Sequence, residues 1–501
     1  MKIFEKTAFA FAAGIVAACA QAGVDPATLP LEQLTADVVV VGAGGTGMAA
    51  AASAAGAGAK VIVFEKLAMI GGSSAFAGGA IAAGGSNAQA KAGEKDTTPE
   101  GFMKIWLDDQ KRSYKGGNPA YPDEQLVRSM TIAFTDTVNW LESEIGHPFA
   151  KPRPFGYGGP NYAHAPAESP VPASGRGSSP AGGRFVIKNL KLYLDKAGVP
   201  VRTSTPVDSL ILDKSGAVAG VRAHDGKNRY EVSAKAVVLA TGGFAHSREM
   251  MEKLVPAYAP YVDKSVATVG ATGDGIRMAV DAGGVMYDDA WVIGLYVSSL
   301  DPKLSKTYTS KDKYKDRVFV NEKGERFVNE DLPYLTDPVA MQGAAWAIVD
   351  SSNAKNAALL NECKDPKIAA KGNTWRELGE AMGVPGEALE RTMTEYNKAC
   401  ETGVDKTFGK PAAYLKPFAK APFYAVRVIP QTGGTMGGVK VNDRFEVVRA
   451  DGTPVKGLYA GGEVMNRPYY NRVYTSGTGL GIAYTSGRIA GENAARAALG
   501  K

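Results

Sequence analysis

The chain has 501 residues, of which 45% are hydrophobic and 22% charged, so it has the makings of a packed core and wholesale disorder is excluded. A net charge of +6 without a long block of like charges argues against a nucleic-acid binder, and three cysteines without a C-x-x-C pair exclude a disulfide framework, a zinc ribbon and a haem attached to this chain. The 60 glycines exceed the usual share of about 7% and point to many tight turns and close backbone approaches, as around a large cofactor.

Lys2 and Lys6 precede an apolar run from Thr7 to Ala18, the form of a Sec-type signal peptide over residues 1–22. Ala18-Cys19-Ala20 and Ala20-Gln21-Ala22 both fit a cleavage site. Val16-Ala17-Ala18-Cys19 is similar to a lipoprotein box, which would anchor the chain through lipid on Cys19. The run is too short to span a bilayer of about 30 Å. The expectation is a periplasmic protein without a transmembrane span.

A linker is expected over 23–35, followed by the β-branched strand Ala36 to Val41. It opens directly into Gly42-Ala43-Gly44-Gly45-Thr46-Gly47 and an alanine-rich helix, and a second strand, Lys60 to Phe64, ends at Glu65. Strand, glycine turn, helix and a terminal acid together make a dinucleotide fingerprint. Gly42 permits the tight turn, Gly44 lets backbone approach a pyrophosphate, and Gly47 lets helix and strand pack closely. The helix N-terminus offers N–H groups to the phosphates, and Glu65 can hold both ribose hydroxyls while repelling a 2′-phosphate. FAD or NAD is favoured over NADP. A second glycine-rich stretch, Ile70-Gly71-Gly72-Ser73-Ser74 with Ala77-Gly78-Gly79-Ala80, decides for FAD, whose ribityl chain and ring must pass along backbone. Two further strands end in glycine turns, Ala236 to Gly243 and Gly457 to Glu463, so both ends of the chain contribute to one cofactor lobe.

With these motifs stand Thr272-Gly273-Asp274-Gly275, Arg326-Phe327-Val328-Asn329-Glu330, Thr435-Met436-Gly437-Gly438-Val439 and Gly487-Arg488-Ile489-Ala490-Gly491-Glu492. Over about residues 36–492 the chain resembles the soluble fumarate reductase/flavocytochrome c flavoproteins, whose relatives include urocanate and other enoate reductases and, more distantly, ketosteroid desaturases. The resemblance implies an α/β fold: a split FAD-binding, Rossmann-like domain (36–290 and 432–501) with an inserted α+β capping domain (291–431). It places the cofactor against Gly42, Gly44, Gly45, Thr46 and Gly47, then Glu65, Lys66, Gly72, Ser73, Ser74, Gly78 and Gly79. Val207, Thr241, Gly242, Asp274 and Glu463 complete that set, with Gly479 and Leu480 near the flavin. Some relatives attach FAD to a histidine beside the glycine-rich stretch; His147, His164, His224 and His246 all lie elsewhere in the sequence, so FAD is expected to be non-covalent. No metal is expected.

The resemblance also shows departures. Tyr334 stands four residues after Glu330, where the family has its proton-donating arginine. Gly433-Gly434 replaces a histidine pair, the His-Pro-Thr motif is absent near Tyr296-Val297, and the relay arginine counts back to Lys313. Fumarate itself is therefore not expected. Asn471-Arg472 matches a family N-R pair whose arginine grips a substrate carboxylate. Tyr474, ahead of a small-residue turn, resembles the ketosteroid desaturases' ketone-binding tyrosine. Tyr334, Arg472 and Tyr474 are the expected catalytic residues. The expected function is reduction of an activated C=C bond in an α,β-unsaturated acid, a monocarboxylate with an apolar or aromatic tail. Hydride would come from flavin N5, the proton from a tyrosine and the electrons from a separate cytochrome c, as in anaerobic respiration. The alternative is a ketosteroid dehydrogenase or reductase acting on a ring ketone.

Overall fold

The computed structural model describes residues 25–155, 159–169, 181–301, 303–304, 317–332 and 335–501. The expected signal peptide with Cys19, Lys313 and Tyr334 lie outside the described residues. In chain order come β1 (Leu31–Val41), α1 (Gly45–Gly56), β2 (Val61–Phe64), α2 (Gly72–Phe76), β3 (Ile81–Ala82), α3 (Pro99–Gln110), α4 (Glu124–Ser143) and β4 (Ala163–His164). Next are α5 (Gly183–Lys196), β5 (Val201–Arg202), β6 (Val207–Leu212), β7 (Val218–His224), β8 (Arg229–Leu239) and α6 (Asp274–Asp281). β9 (Trp291–Ser298), β10 (Val318–Asn321), β11 (Ala345–Asp350), β12 (Ala369–Gly372), α7 (Trp375–Met382), α8 (Gly386–Thr402) and β13 (Phe423–Met436) follow. β14 (Glu446–Val448), β15 (Pro454–Ala460) and α9 (Thr478–Leu499) close the chain.

The chain divides into two compact units, one of residues up to Met250, Ala267–Trp291 and Gly434–Lys501, the other of Met251–Val266 and Val292–Gly433. The first unit is built on a mixed sheet ordered β14-β15-β8-β1-β2-β5. Its parallel heart has both faces covered: Val38 to Val41, Val61 to Phe64 and Ala236 to Leu239 are all buried, which is why these segments read as unbroken apolar runs. β7 takes the N-terminal half of the free edge of β8 and continues antiparallel into β6, while β15 takes the C-terminal half in parallel.

One expected boundary moves. β1 starts at Leu31, inside the expected 23–35 linker, because Leu31 to Ala36 pair in parallel with Arg229 to Ala234. In that half of the strand three residues are exposed, three are partly buried and half are polar, so it lacks the unbroken apolar run of the second half; its partner is distant in sequence.

α9 crosses α1 backbone to backbone. A Cβ at Gly487 would lie 2.2 Å from the Thr46 carbonyl oxygen, and one at Gly491 would lie 2.1 Å from that of Ala50. Two glycines four apart occupy one helix face, so the Gly487-Arg488-Ile489-Ala490-Gly491 motif is a packing device for the helix that opens the nucleotide site.

The second unit has the sheet β10-β11-β13-β12, with β9 also on β13. Its main core joins Val318, Val320, Trp346 and Ile348 from the strands to Leu378, Leu389 and Met393 from α7 and α8. Residues 251–266 belong to this unit, interrupting the stretch expected as 36–290 of the cofactor domain. The cause is Tyr258, fully buried and donating to Asp337 at 2.5 Å, together with the Val266 N–H donated to the Thr432 carbonyl at 2.8 Å. Among the described residues no helix is long and apolar enough to cross a membrane.

Candidate active site

The glycine turn has the tight backbone and the close helix packing expected of Gly42 and Gly47. Gly42 sits at φ +102°, and a Cβ there would fall 2.5 Å from the Ala240 oxygen. A Cβ at Gly47 would fall 1.8 Å from the Gly42 oxygen, so only hydrogen fits between helix and turn. A Cβ on Gly44 would meet nothing within 4 Å, which leaves an open approach on that side at the start of α1, whose N-terminus no side chain caps. Free N–H groups at a helix start, beside an open backbone, suit a pyrophosphate. At the end of β2, Glu65 is anchored by the N–H groups of Ala43 and Leu67, each at 2.8 Å. Burial raises its carboxyl above the ordinary value, and those two N–H donors oppose the shift.

The other expected cofactor residues collect around this turn. Gly44 and Gly71 bridge in parallel, Gly72 lies against Gly44, and Ser74 lies where a Cβ on Gly45 would meet its Oγ at 2.5 Å. Ser73 Oγ accepts the Thr268 N–H at 2.9 Å. Gly78 and Gly79 abut the start of α5 at Gly182. Thr205, two residues before Val207, donates its N–H to the Glu65 carbonyl at 2.9 Å. Lys66 Nζ pairs with Asp274 at 2.5 Å and donates to Thr272 at 2.6 Å. Burial alone would raise Asp274, but Lys66 and Thr272 bring it below the usual carboxylate range. Thr241, beside Gly242 at φ +75°, accepts the Gly275 N–H at 3.1 Å. Glu463 follows the Gly461-Gly462 turn against Thr46, and accepts the Thr435 N–H at 2.9 Å. Burial pushes its carboxyl up to about 7, against the pull of the Thr435 and Gly243 donors. Uncapped helix N–H groups for a pyrophosphate, with the Glu65 carboxyl beside them for ribose hydroxyls, fit FAD.

A second group of residues lies on the loop between β15 and α9. Arg472 is half-buried, with its guanidinium 4.0 Å from the centre of the Trp291 ring. Its backbone N–H is held by Ser113 Oγ at 3.2 Å, while its Nε is buried without a hydrogen-bond partner. Arg467, which sequence reasoning missed, is completely buried, ion-paired to Asp289 and stacked 3.6 Å from the Tyr121 ring centre. It donates to the carbonyls of Tyr470 and, at 3.3 Å, of Asn471. The available signal was a second N-R pair, Asn466-Arg467, upstream of Asn471-Arg472.

Tyr474 is partly buried, with its ring on Gly479 at the start of α9; a Cβ on Gly479 would meet the ring at 3.2 Å. Burial raises its phenol, and the N–H groups of Gly479 and Gly477 act to lower it. These N–H groups would hold a phenolate, which suits a proton donor. Leu480 is buried one residue on, while Tyr469 and Tyr470 are buried and pack against Trp106.

Glu330, from which the position of Tyr334 is counted, is committed elsewhere. Arg326 grips it through two hydrogen bonds of 2.9 and 2.7 Å and also reaches Asp405 at 2.7 Å, while Lys410 lies 3.4 Å from Glu330. The Arg326-to-Glu330 motif is thus the spine of a buried ion quartet in the second unit. His164 is brought opposite Ile81, beside the second glycine-rich stretch, by the β3–β4 pairing. Its ring nitrogens meet Ser86 Oγ at 2.6 Å and the Tyr162 carbonyl at 3.1 Å.

Comparison with known proteins is consistent with this geometry. The family model described as "FAD binding domain" matches residues 37–480. A fumarate reductase (cytochrome) of Shewanella frigidimarina is 32% identical, over 92% of this chain and 77% of its own. A urocanate reductase of Eggerthella lenta is 30% identical, over 92% of this chain and 74% of its own. The solved structure of a 3-ketosteroid-Δ4-(5α)-dehydrogenase from Rhodococcus jostii superposes with a TM-score of 0.69 at 28% identity, covering 92% of this chain and 97% of that one.

Proposed function

The chain belongs to the FAD-binding-domain family and is a fumarate-reductase-like, FAD-dependent oxidoreductase, and from that premise we propose that it reduces the activated C=C bond of an α,β-unsaturated monocarboxylic acid with an apolar or aromatic tail. Once bound and reduced by an electron donor, FAD would supply the hydride to the carbon β to the carboxylate, and it would leave that step oxidised. The cradle of Gly42 to Gly47, Glu65, the Gly72-to-Gly79 stretch and Glu463 would hold it. Arg472 grips the substrate carboxylate and draws charge from the α carbon as it becomes enolate-like. A tyrosine delivers the proton to that α carbon. Tyr474 is the described candidate, because the N–H groups at the start of α9 can hold the phenolate it leaves; Tyr334 is the other.

The observation that carries this reading is Arg472: a cation over a tryptophan face, held by its backbone, with a buried Nε lacking a partner. The test is an anaerobic screen of unsaturated mono- and dicarboxylic acids and ketosteroids with reduced viologen as donor. Turnover of a monocarboxylate, with KM raised and kcat lowered in Arg472→Ala, is the expected result. Turnover of ketosteroids alone, indifferent to Arg472→Ala, would favour the desaturase reading suggested by Tyr474.

FAD is held without a covalent bond in this reading, because both ring nitrogens of His164, the histidine beside the glycine-rich stretch, are occupied by Ser86 and Tyr162. Acid precipitation should leave yellow FAD in the supernatant; flavin in the pellet would refute this. Export to the periplasm rests on Lys2, Lys6 and the apolar run after them. N-terminal sequencing from the native host should begin near Gln21 or Gly23, or show a lipidated Cys19. A separate cytochrome c would supply electrons, since the three cysteines offer no haem attachment.

A further inference from the structure

Two guanidinium groups and one carboxylate meet beside Trp291. Asp289 takes Arg467 as its ion-pair partner and the Asn118 amide at 2.9 Å, and it also feels the charge of Arg472. The other terminal nitrogen of Arg467 donates to the carbonyls of Tyr470 and Asn471, the residues leading into Arg472. Asn471 is fixed from the other side, its side chain accepting the Asn118 N–H at 2.7 Å and donating to the Gly116 carbonyl at 3.0 Å. Among the described residues Arg472 has no acid within ion-pair distance. Of the two guanidinium groups the one in ion-pair contact with a carboxylate is Arg467, which has no exposure; Asp288 lies near enough to act on Tyr121, the ring on which Arg467 is stacked, but makes no ion pair with Arg472.

We propose that Asp289 is a specificity-determining residue: by pairing with Arg467 it leaves one uncompensated positive charge, on Arg472, and so selects a substrate with one carboxylate over one with two. This rests on Arg472 being the carboxylate clamp. A single anion meets a matching charge there; a second carboxylate would be taken from water with no cation to receive it. Arg467 would be that cation if Asp289 did not hold it.

The test uses the purified oxidised holoenzyme and two probes that differ only in methyl against carboxylate, (E)-but-2-enoate and fumarate. Equilibrium binding is read from the change in flavin absorption, independently of turnover. Wild type should bind but-2-enoate more tightly by about tenfold or more, the least expected of one unit charge in a partly buried site. Asp289→Asn should shift the preference toward fumarate by at least about tenfold. Arg467→Met should do the opposite, freeing Asp289 to neutralise Arg472 and weakening both probes. The double variant Asp289→Asn/Arg467→Met has the wild-type net charge, with Arg472 again without an ion-pair partner, and should restore the wild-type order. A merely structural role for Asp289 predicts no such rescue. If Asp289→Asn purifies without flavin, Arg467→Met against the double variant decides the matter. An unchanged preference in Asp289→Asn, or no recovery in the double variant, overturns the proposal. Arg472→Ala separates the two levels: if it leaves both affinities intact, the clamp itself is wrong. If it abolishes both while Asp289→Asn changes nothing, only the role of Asp289 is.

Discussion

His164 shows what burial does to one side chain. It is inaccessible to solvent, and burial holds its imidazole down at about 4 against an ordinary value near 6.5. The unfolded chain therefore binds the proton more readily, so stability from this group is complete above about pH 6.5 and is lost as pH falls toward 4. The loss is on the order of 3 kcal/mol. Thermal melts of wild type and His164→Gln from pH 7 to 4 should show a shallower acid slope in the variant. His147, also held down at about 4, and Glu463 contribute equally to both proteins and cancel in the difference. At the same scale, Tyr474→Phe should lower kcat by roughly 10²–10⁴ with FAD content unchanged, since a positioned general acid is worth that much. A rate within about threefold of wild type would pass the role to Tyr334. Residue identity was legible where a motif sets the role locally, as at Gly42, Gly47 and Glu65. At Arg467 the Asn466-Arg467 pair was visible but its role was not legible, because the partner Asp289 lies 178 positions away and carries no motif.

Among the elements, the turn between β1 and α1 separates two kinds of glycine. Gly47 is required by the fold, because any Cβ there collides with the Gly42 carbonyl at 1.8 Å, a backbone atom that cannot yield. A Cβ on Gly44 would meet no protein atom within 4 Å, so packing within the protein does not demand glycine there and its requirement is assigned to the ligand. Gly47→Ala should destabilise the flavin-free protein, by about 1–3 kcal/mol as overpacking does. Gly44→Ala should leave the flavin-free melt within about 0.5 kcal/mol of wild type yet weaken FAD binding tenfold or more. Flavin titration of both variants, beside melts without flavin, checks the contrast. The parallel strands could be read from sequence because burial on both faces makes them continuously apolar. The first half of β1 could not, since its polar residues hold a strand only through pairing with β8.

For the whole molecule, the two units draw on different stabilising devices, and one substitution can tell them apart. Glu330 is fully buried and, with Asp405, balances the charges of Arg326 and Lys410 in the second unit. Glu330→Gln leaves buried cations short of an anion, a loss of about 3–5 kcal/mol. Calorimetry should show one transition moved down while flavin release is unmoved, because the cofactor motifs all lie in the other unit. The α/β class and the split cofactor lobe were legible because glycine turns follow buried strands at both ends of the chain. The assignment of 251–266 was not, since it depends on where Tyr258 finds Asp337.

The crossing of α9 over α1 also sets a timetable for synthesis. The helix that opens the nucleotide site emerges from the ribosome long before the glycine face that seats it. At 5–20 residues per second, roughly 20–90 s separate Gly42 from Gly491. Through that interval α1 lacks its partner and β8 lacks β15, leaving apolar surface and a strand edge uncovered. Nascent chains halted before Thr478 should stay protease-sensitive and bind no flavin, and release of the full chain should give both properties together. The order of synthesis thus makes flavin uptake a late event, possible only once the C-terminal glycine face has reached α1.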